Sequence, residues 1–433
     1  MRLFLLSACL LLFTHCGRYH LRLEPAVPPK VRAPAAPAPA PSPAAVDTVR
    51  ETAPLQAIRV ERNSVRVFLE KGSAPLRLAL TDPFTVYAGG QSVGTLTGKV
   101  PASMDSRALR IDGRSVPLPV SLVPQAAASL FELNGRTYRG SLVFRCDSSG
   151  KPVVINEVAV EEYLKGVVPY EIGKREAVHF EALKVQAVAA RTYTYARLNI
   201  HAADGFDVYP DETDQVYQGT GSRYALADSA VDATRDEVIT HSDTLIRAYY
   251  FSTSPGKTSN IEEVWPDKGY RPYLRSVNDS SFSAAARYFT WREEWRGPEL
   301  ERIVNRFMPE TFPDFSPGPL QNIAVTARAA CGRAMTTLFV VGGREYRVAG
   351  DRVRWILRRP IKDNPILRSA FFNLEIDQDS AGRISRVAAA GGGYGHGVGL
   401  SQIGALSMAE KGMKAEEIIK LYYTGVELKK VAY

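Results

Sequence analysis

The stretch from Phe180 to Asn199, FEALKVQAVAARTYTYARLN, constrains the fold most. Leu183, Ala187, Ala190 and Thr194 recur at three- and four-residue steps, the spacing of one helical face. Alanine is dense throughout, which favours helix. Small residues along one face let a helix lie very close to its neighbour. Glu181 sits in the first turn, where a carboxylate complements the helix dipole. A body built around such a helix must bring other elements tightly against it.

Most of the other segments read as strands. Ile58–Glu61, Ser64–Leu69, Leu76–Leu80 and Phe84–Tyr87 alternate apolar and polar residues between Gly, Asp and Pro turn signals. They predict a β-rich N-terminal unit over 55–130. Asn134-Gly135 marks a hairpin turn, with strands continuing at Ser141–Phe144 and Val153–Ile155. Shorter helices are expected near Ser229–Arg235, Pro298–Arg306 and Ser401–Glu410. Strands are expected at Leu245–Phe251, Ile323–Thr326, Leu338–Val341, Phe371–Ile376 and Ile384–Ala388. With no βαβ rhythm and no internal repeat, the fold class is mixed α+β: a β-rich unit, then an α/β body over 131–433 containing the long Ala-rich helix.

The beginning of the chain suggests where it works. Met1-Arg2 precedes the apolar run Leu3–Phe13, too short to span a bilayer, which takes about 20 residues, and suited to a signal-peptide core. Cys16 then stands where a lipoprotein signal is cut and acylated, although His15 occupies a position that usually holds a small residue. Residues 1–16 therefore read as a signal of lipoprotein type, with a plain secretory signal or a simple anchor as the alternatives. All three imply export to the cell envelope. Residues 17–54 form a Pro/Ala-rich linker, stiff and coreless, able to hold a folded body away from a membrane. The net charge of +8 favours polyanions, but no Lys/Arg run marks a nucleic-acid surface. Of the four cysteines, Cys9 leaves with the signal. Cys146 and Cys331 are either disulfide partners or buried thiols. No CxxC and no Cys/His cluster points to zinc.

Three segments have compositions unusual for scaffold. In Gly166-Val167-Val168-Pro169-Tyr170-Glu171-Ile172-Gly173, a carboxylate lies among apolar neighbours in an expected loop. Apolar surroundings raise a carboxyl pKa, as a general acid at neutral pH requires. In Phe251–Thr258, Ser252 and Ser254 offer hydroxyls beside a Gly turn, followed by Trp265, Tyr270 and Tyr273. Hydroxyls and rings together suit a carbohydrate groove. Gly256-Lys257-Thr258 lacks the earlier glycine of a P-loop. The third segment, Gly391–Gln402, is glycine-rich and follows a strand, yet too little chain remains for a Rossmann half. Its glycines permit close backbone approach, and His396 among them reads as ligand-facing.

Three segments resemble the stage II sporulation protein D / amidase enhancer family: Leu133–Leu142, Glu162–Glu171 and Glu181–Tyr193. Asp214–Tyr217, the Phe251–Gly256 loop with Val264-Trp265, and Gly395–Gln402 resemble its later motifs. The likeness runs over roughly residues 58 to 430. It implies a peptidoglycan lytic transglycosylase in which Glu171 serves as general acid and then base. It implies glycan-binding roles for His396 and Gln402, and Ser252, Ser254, Tyr217, Lys184 and Arg191 are assigned to substrate binding with them. Some members bind zinc, but Tyr209–Gln215 holds neither Cys nor His, so no metal and no cofactor is expected. The family often has a small residue where Tyr170 stands and Met-Pro in place of Ile172-Gly173.

A water-using glycosidase generally needs two carboxylates flanking the bond, whereas a lytic transglycosylase needs one. Glu171 alone fits the second scheme. Glu181 has a structural explanation, and Asp211, Glu212 and Asp214 remain possible second acids. The expected partners are peptidoglycan glycan strands, a membrane through a lipid on Cys16, and a wall amidase. The alternative function is a non-catalytic glycan-binding module that stimulates such an amidase.

Overall fold

The computed structural model describes residues 57–72 and 75–433. The signal, the lipidation site at Cys16 and the linker lie outside the described residues. The N-terminal strands form a ten-stranded sheet. From one edge it runs Ser64–Lys71, Pro152–Ala159, Ser141–Cys146, Val120–Pro124, Leu76–Ala88, Gln91–Met104, Ala108–Ile111 and Arg114–Pro117. Alternation works as expected: Leu76, Leu78 and Leu80 are buried while Arg77 is exposed. Asn134 and Gly135 both take positive φ, and the turn pairs Phe131–Leu133 with Arg136–Tyr138. The sheet continues past residue 130 to Ala159, because the hairpin and the two strands after it pair back onto the earlier ones.

Helix α1 (Val160–Ile172) leaves directly from that last strand, with Glu161 and Glu162 in its first turn. The expected loop at 166–173 is therefore helical up to Ile172, and Gly173, at φ 77°, ends it. Pro169 lies inside the helix, against its usual preference. Helix α2 (Phe180–Tyr195) stops short of the predicted Asn199. It is buried on nearly all sides, enclosed by α1, α3 (Ala225–Ala233), the strand Glu237–His241 and the helices Gln402–Glu410 and Ala415–Tyr422. Ala187, Ala189 and Ala190 are wholly inaccessible. A helix that is buried all round forces each of its polar groups to find a partner inside.

Arg191 is the largest such case. It is fully buried, and its Nε and Nη2 each lie 2.7 Å from a carboxylate oxygen of Glu161. It also donates to the carbonyls of Val231 and Glu237. The substrate-binding role expected for Arg191 is corrected here: no surface of it is left for a ligand. Tyr217 is corrected likewise, 2% exposed, packed on Tyr163 and donating to Asn156 at 2.9 Å.

A second apolar core occupies 291–389, centred on Trp295, Phe339 and Phe372. Its strands Trp291–Arg296, Ile384–Gly391 and Phe372–Gln378 form one antiparallel sheet, and Leu320–Arg328, Ala334–Val341 and Arg344–Ala349 form another. Cys146 and Cys331 are free thiols. Among the described residues, no helix is long and apolar enough to cross a membrane.

Removing one partner of a buried ion pair leaves the other charged and unpaired. Arg191→Met is expected to cost about 3–5 kcal/mol in urea unfolding, and Glu161→Leu/Arg191→Met markedly less than the sum of the two single changes.

Candidate active site

Glu171 occupies the last turn of α1, where the helix dipole disfavours a negative charge. Its Oε1 accepts the amide of Val216 at 2.8 Å, and the side chains of Tyr250 and Gln402 border the carboxylate as polar neighbours that favour its charged form. Burial pushes its pKa up from the ordinary 4.5 to about 7, outweighing those donors, and the charge of Glu212 adds to the rise. The group is thus half protonated near neutrality.

The supports of Glu171 are themselves fixed. Gln402 opens the helix that Ser401 caps, with the Ser401 hydroxyl accepting from the amide of Gly404. Its Nε2 donates to the carbonyl of Glu171 at 3.1 Å and to Oε1 of Gln186 at 3.2 Å. Tyr250 accepts from Nε2 of Gln215 at 2.9 Å, and Oε1 of Gln215 accepts from Thr194 at 2.9 Å and Tyr163 at 3.4 Å. Burial holds the Tyr250 hydroxyl well above its usual pKa, so it remains a donor.

His396 does not project toward a ligand as expected. Its ring packs against Trp265 and Phe251, with centroids 4.8 and 5.5 Å away. Nε2 lies 2.9 Å from the Tyr250 carbonyl, and Nδ1 accepts the amide of Val398 at 3.1 Å. Those partners fix the Nε2–H tautomer. Burial lowers its pKa to about 3, so the ring stays neutral. His396 therefore positions the backbone of Tyr250, whose hydroxyl borders Glu171. The glycines around it are needed for close approach. A Cβ on Gly397, which also has φ +84°, would sit 2.1 Å from Nη2 of Arg333. That buried Arg333 donates to Ser259 at 2.9 Å and comes from the second core.

The remaining candidates separate by burial. Ser254 is wholly buried and donates to Asp279 at 2.6 Å, which corrects its expected contact with substrate. Ser252 is half-buried, with its hydroxyl 3.1 Å from that of Thr253. Lys184 pairs with Glu181 at 3.1 Å and lies over the ring of Phe180, so its charge is already engaged. Glu181 also accepts the amide of Ala415, fastening the C-terminal helix. Asp214 is consumed by Tyr193, Arg197 and the amide of Tyr209. A cleft of about 600 Å³ reaches the site at Val216, lined also by Arg136, Pro210, Asp211, Glu212, Thr213 and Gln218. The sequence reading gave no role to Tyr250, Gln186 or Arg333. Gln186, polar in the middle of an Ala-rich buried helix, carried a usable signal.

Residues 148–241 match the family described as stage II sporulation protein, and 281–399 match a domain of unknown function (DUF8618). Stage II sporulation protein D of Bacillus amyloliquefaciens is 30% identical over 292 residues, covering 63% of this chain and 75% of the relative. An uncharacterized protein of Brachyspira hyodysenteriae is 28% identical over 378 residues, covering 85% and 93%. An amidase enhancer of Bacillus subtilis is 26% identical over 299 residues, covering 61% of this chain and 40% of the relative. The chain belongs to the stage II sporulation protein D family.

A raised carboxyl pKa means that ionising Glu171 destabilises the fold as pH rises from 4.5 to about 7. Glutamine does not titrate. Glu171→Gln is therefore expected to gain stability over the parent through that window, levelling off at about 3 kcal/mol above it. Paired unfolding curves at pH 4.5 and pH 8 check this. An unchanged difference between the two would contradict the raised pKa.

Proposed function

We propose that this protein is an exported envelope enzyme that cuts the glycan strands of peptidoglycan by lytic transglycosylation. The carrying observation is one part-buried, desolvated carboxyl with a pKa near 7, among neutral donors and held by the amide of Val216, a residue that lines an open cleft. Protonated Glu171 gives its proton to the glycosidic oxygen as the C1–O bond breaks. The carboxylate then takes the proton of the same sugar's 6-hydroxyl, whose oxygen closes on C1. An anhydro ring forms, the leaving strand departs as an alcohol, and Glu171 ends protonated, with no water consumed. Asp214 is occupied and drops out as a second acid, while Glu212, in the cleft beside Val216, is the carboxylate against which this one-acid scheme is weighed. Tyr250 and Gln402 stabilise the carboxylate between the two proton transfers.

The likeness to an amidase enhancer supports a second reading, in which the same cleft only grips glycan and a wall amidase is the partner. Digestion of purified sacculi separates them. Anhydro-muropeptides or anhydro-glycans are expected from the parent, with at least a hundredfold loss in Glu171→Gln. Glycan binding by both proteins with no product from either would leave only the second reading. Because the acid form acts first, kcat/KM is expected to fall about tenfold per pH unit above pH 7.

A further inference from the structure

Tyr394, in the glycine segment, is 38% exposed although its backbone is held from two directions. Its amide donates to the carbonyl of Thr253 at 2.8 Å, and the amide of Thr253 returns a bond at 3.0 Å. On the other side, the amides of Gly393 and Gly395 donate to the carbonyls of Tyr288 and Arg368, each at 2.8 Å. Trp291 Nε1 adds a bond to the carbonyl of Gly393 at 2.9 Å. The Tyr288 ring supports Tyr394 from the side of the second core, with centroids 5.2 Å apart and planes 35° apart. The Arg287 guanidinium lies 5.2 Å from the Tyr288 centroid.

A large ring on so fixed a backbone, packed on one side against Tyr288, loses less entropy than a free one when something stacks on it. Its place along the chain shows what that is. Thr253 lies three residues beyond Tyr250, at most about 10 Å along the backbone, and the Tyr250 side chain in turn borders Glu171. Half-buried Ser252 lies between them.

We propose that Tyr394, backed by Tyr288, is a stacking platform for a hexopyranose ring of the glycan strand, beyond the sugar held at Glu171. The segment matching the domain of unknown function thereby lengthens the glycan site. This rests on the glycan-cleaving reading for the direction of the strand.

The test measures binding of N-acetylglucosamine oligomers, dimer to hexamer, by titration calorimetry in the Glu171→Gln background. Adding Tyr394→Ala is expected to weaken the hexamer about tenfold and the dimer less than twofold, while Tyr394→Phe keeps parental affinity. Tyr394→Leu, similar in bulk, should lose as much as the alanine variant and serves if the latter does not fold. Equal affinities for every length in the alanine and leucine variants, or equal losses at every length, overturn the platform. Wild type that releases anhydro product alongside such a result leaves the enzyme reading standing. Length-dependent loss in a protein that never releases product sinks the enzyme reading and keeps the platform.

Discussion

The burial of α2 on nearly all sides is the constraint from which the site follows. Its apolar residues need no partners, but Gln186, Arg191 and Thr194 do, and each is fully inaccessible. Gln186 accepts from Gln402 on its Oε1 although its Nε2 is left without a partner, Arg191 finds Glu161, and Thr194 finds Gln215. Two of those partners bear directly on the acid: Gln402 contacts Glu171, and Gln215 contacts Tyr250, which does. The third fixes the start of the helix whose end carries Glu171. Satisfying the interior of one helix thus orients a carboxyl at its neighbour's end. Polar groups in such a low-dielectric interior are costly to leave unpaired, so the arrangement tolerates few alternatives.

Electrostatics around Glu171 are set by what has been neutralised. His396, next to Tyr250, is kept uncharged by burial, and Asp214 spends its charge on Arg197 and two hydrogen bonds. What remains beside Glu171 is a set of dipoles, one amide, one hydroxyl and one carboxamide, together with the like charge of Glu212, which adds to the rise. Dipoles of fixed orientation stabilise a transient carboxylate without holding it permanently ionised. A Lys or Arg in their place would have pulled the pKa below its usual range and left no proton to donate.

Much of this was legible in the residues. The alternating strands, the Asn-Gly hairpin and the Ala-rich helix follow from local periodicity, and each stands close to where the pattern put it. Glu171 was legible as a carboxyl among apolar neighbours, though a Pro and a flanking Gly disguised the last turns of a helix as a loop. Pairings across long stretches were not legible. Nothing near Arg191 or Ser254 in sequence announces Glu161 or Asp279, so hydroxyl and guanidinium groups that serve the interior read as ligand contacts. His396 failed for a related reason. Glycines on both sides suggested an open loop, yet they let the backbone close around an imidazole whose two nitrogens are bonded to main chain.

The second core enters and leaves the body through Trp291–Arg296 and Ile384–Gly391, which pair with each other along their length. An insertion whose ends already lie side by side adds little closure entropy, so a host fold accepts it cheaply. Its position nevertheless couples it to the site. Its last strand runs straight into the glycine segment, and Arg333 reaches from it to Ser259 and the space left by Gly397. That guanidinium is wholly buried, and its Nη2 has no hydrogen-bond partner. Such a desolvated cation costs free energy that a simple spacer would not need to spend. Its contacts instead fix the backbone on either side of His396, and through His396 the strand that carries Tyr250. The insertion is therefore one of the walls against which the acid's supporting residues are set.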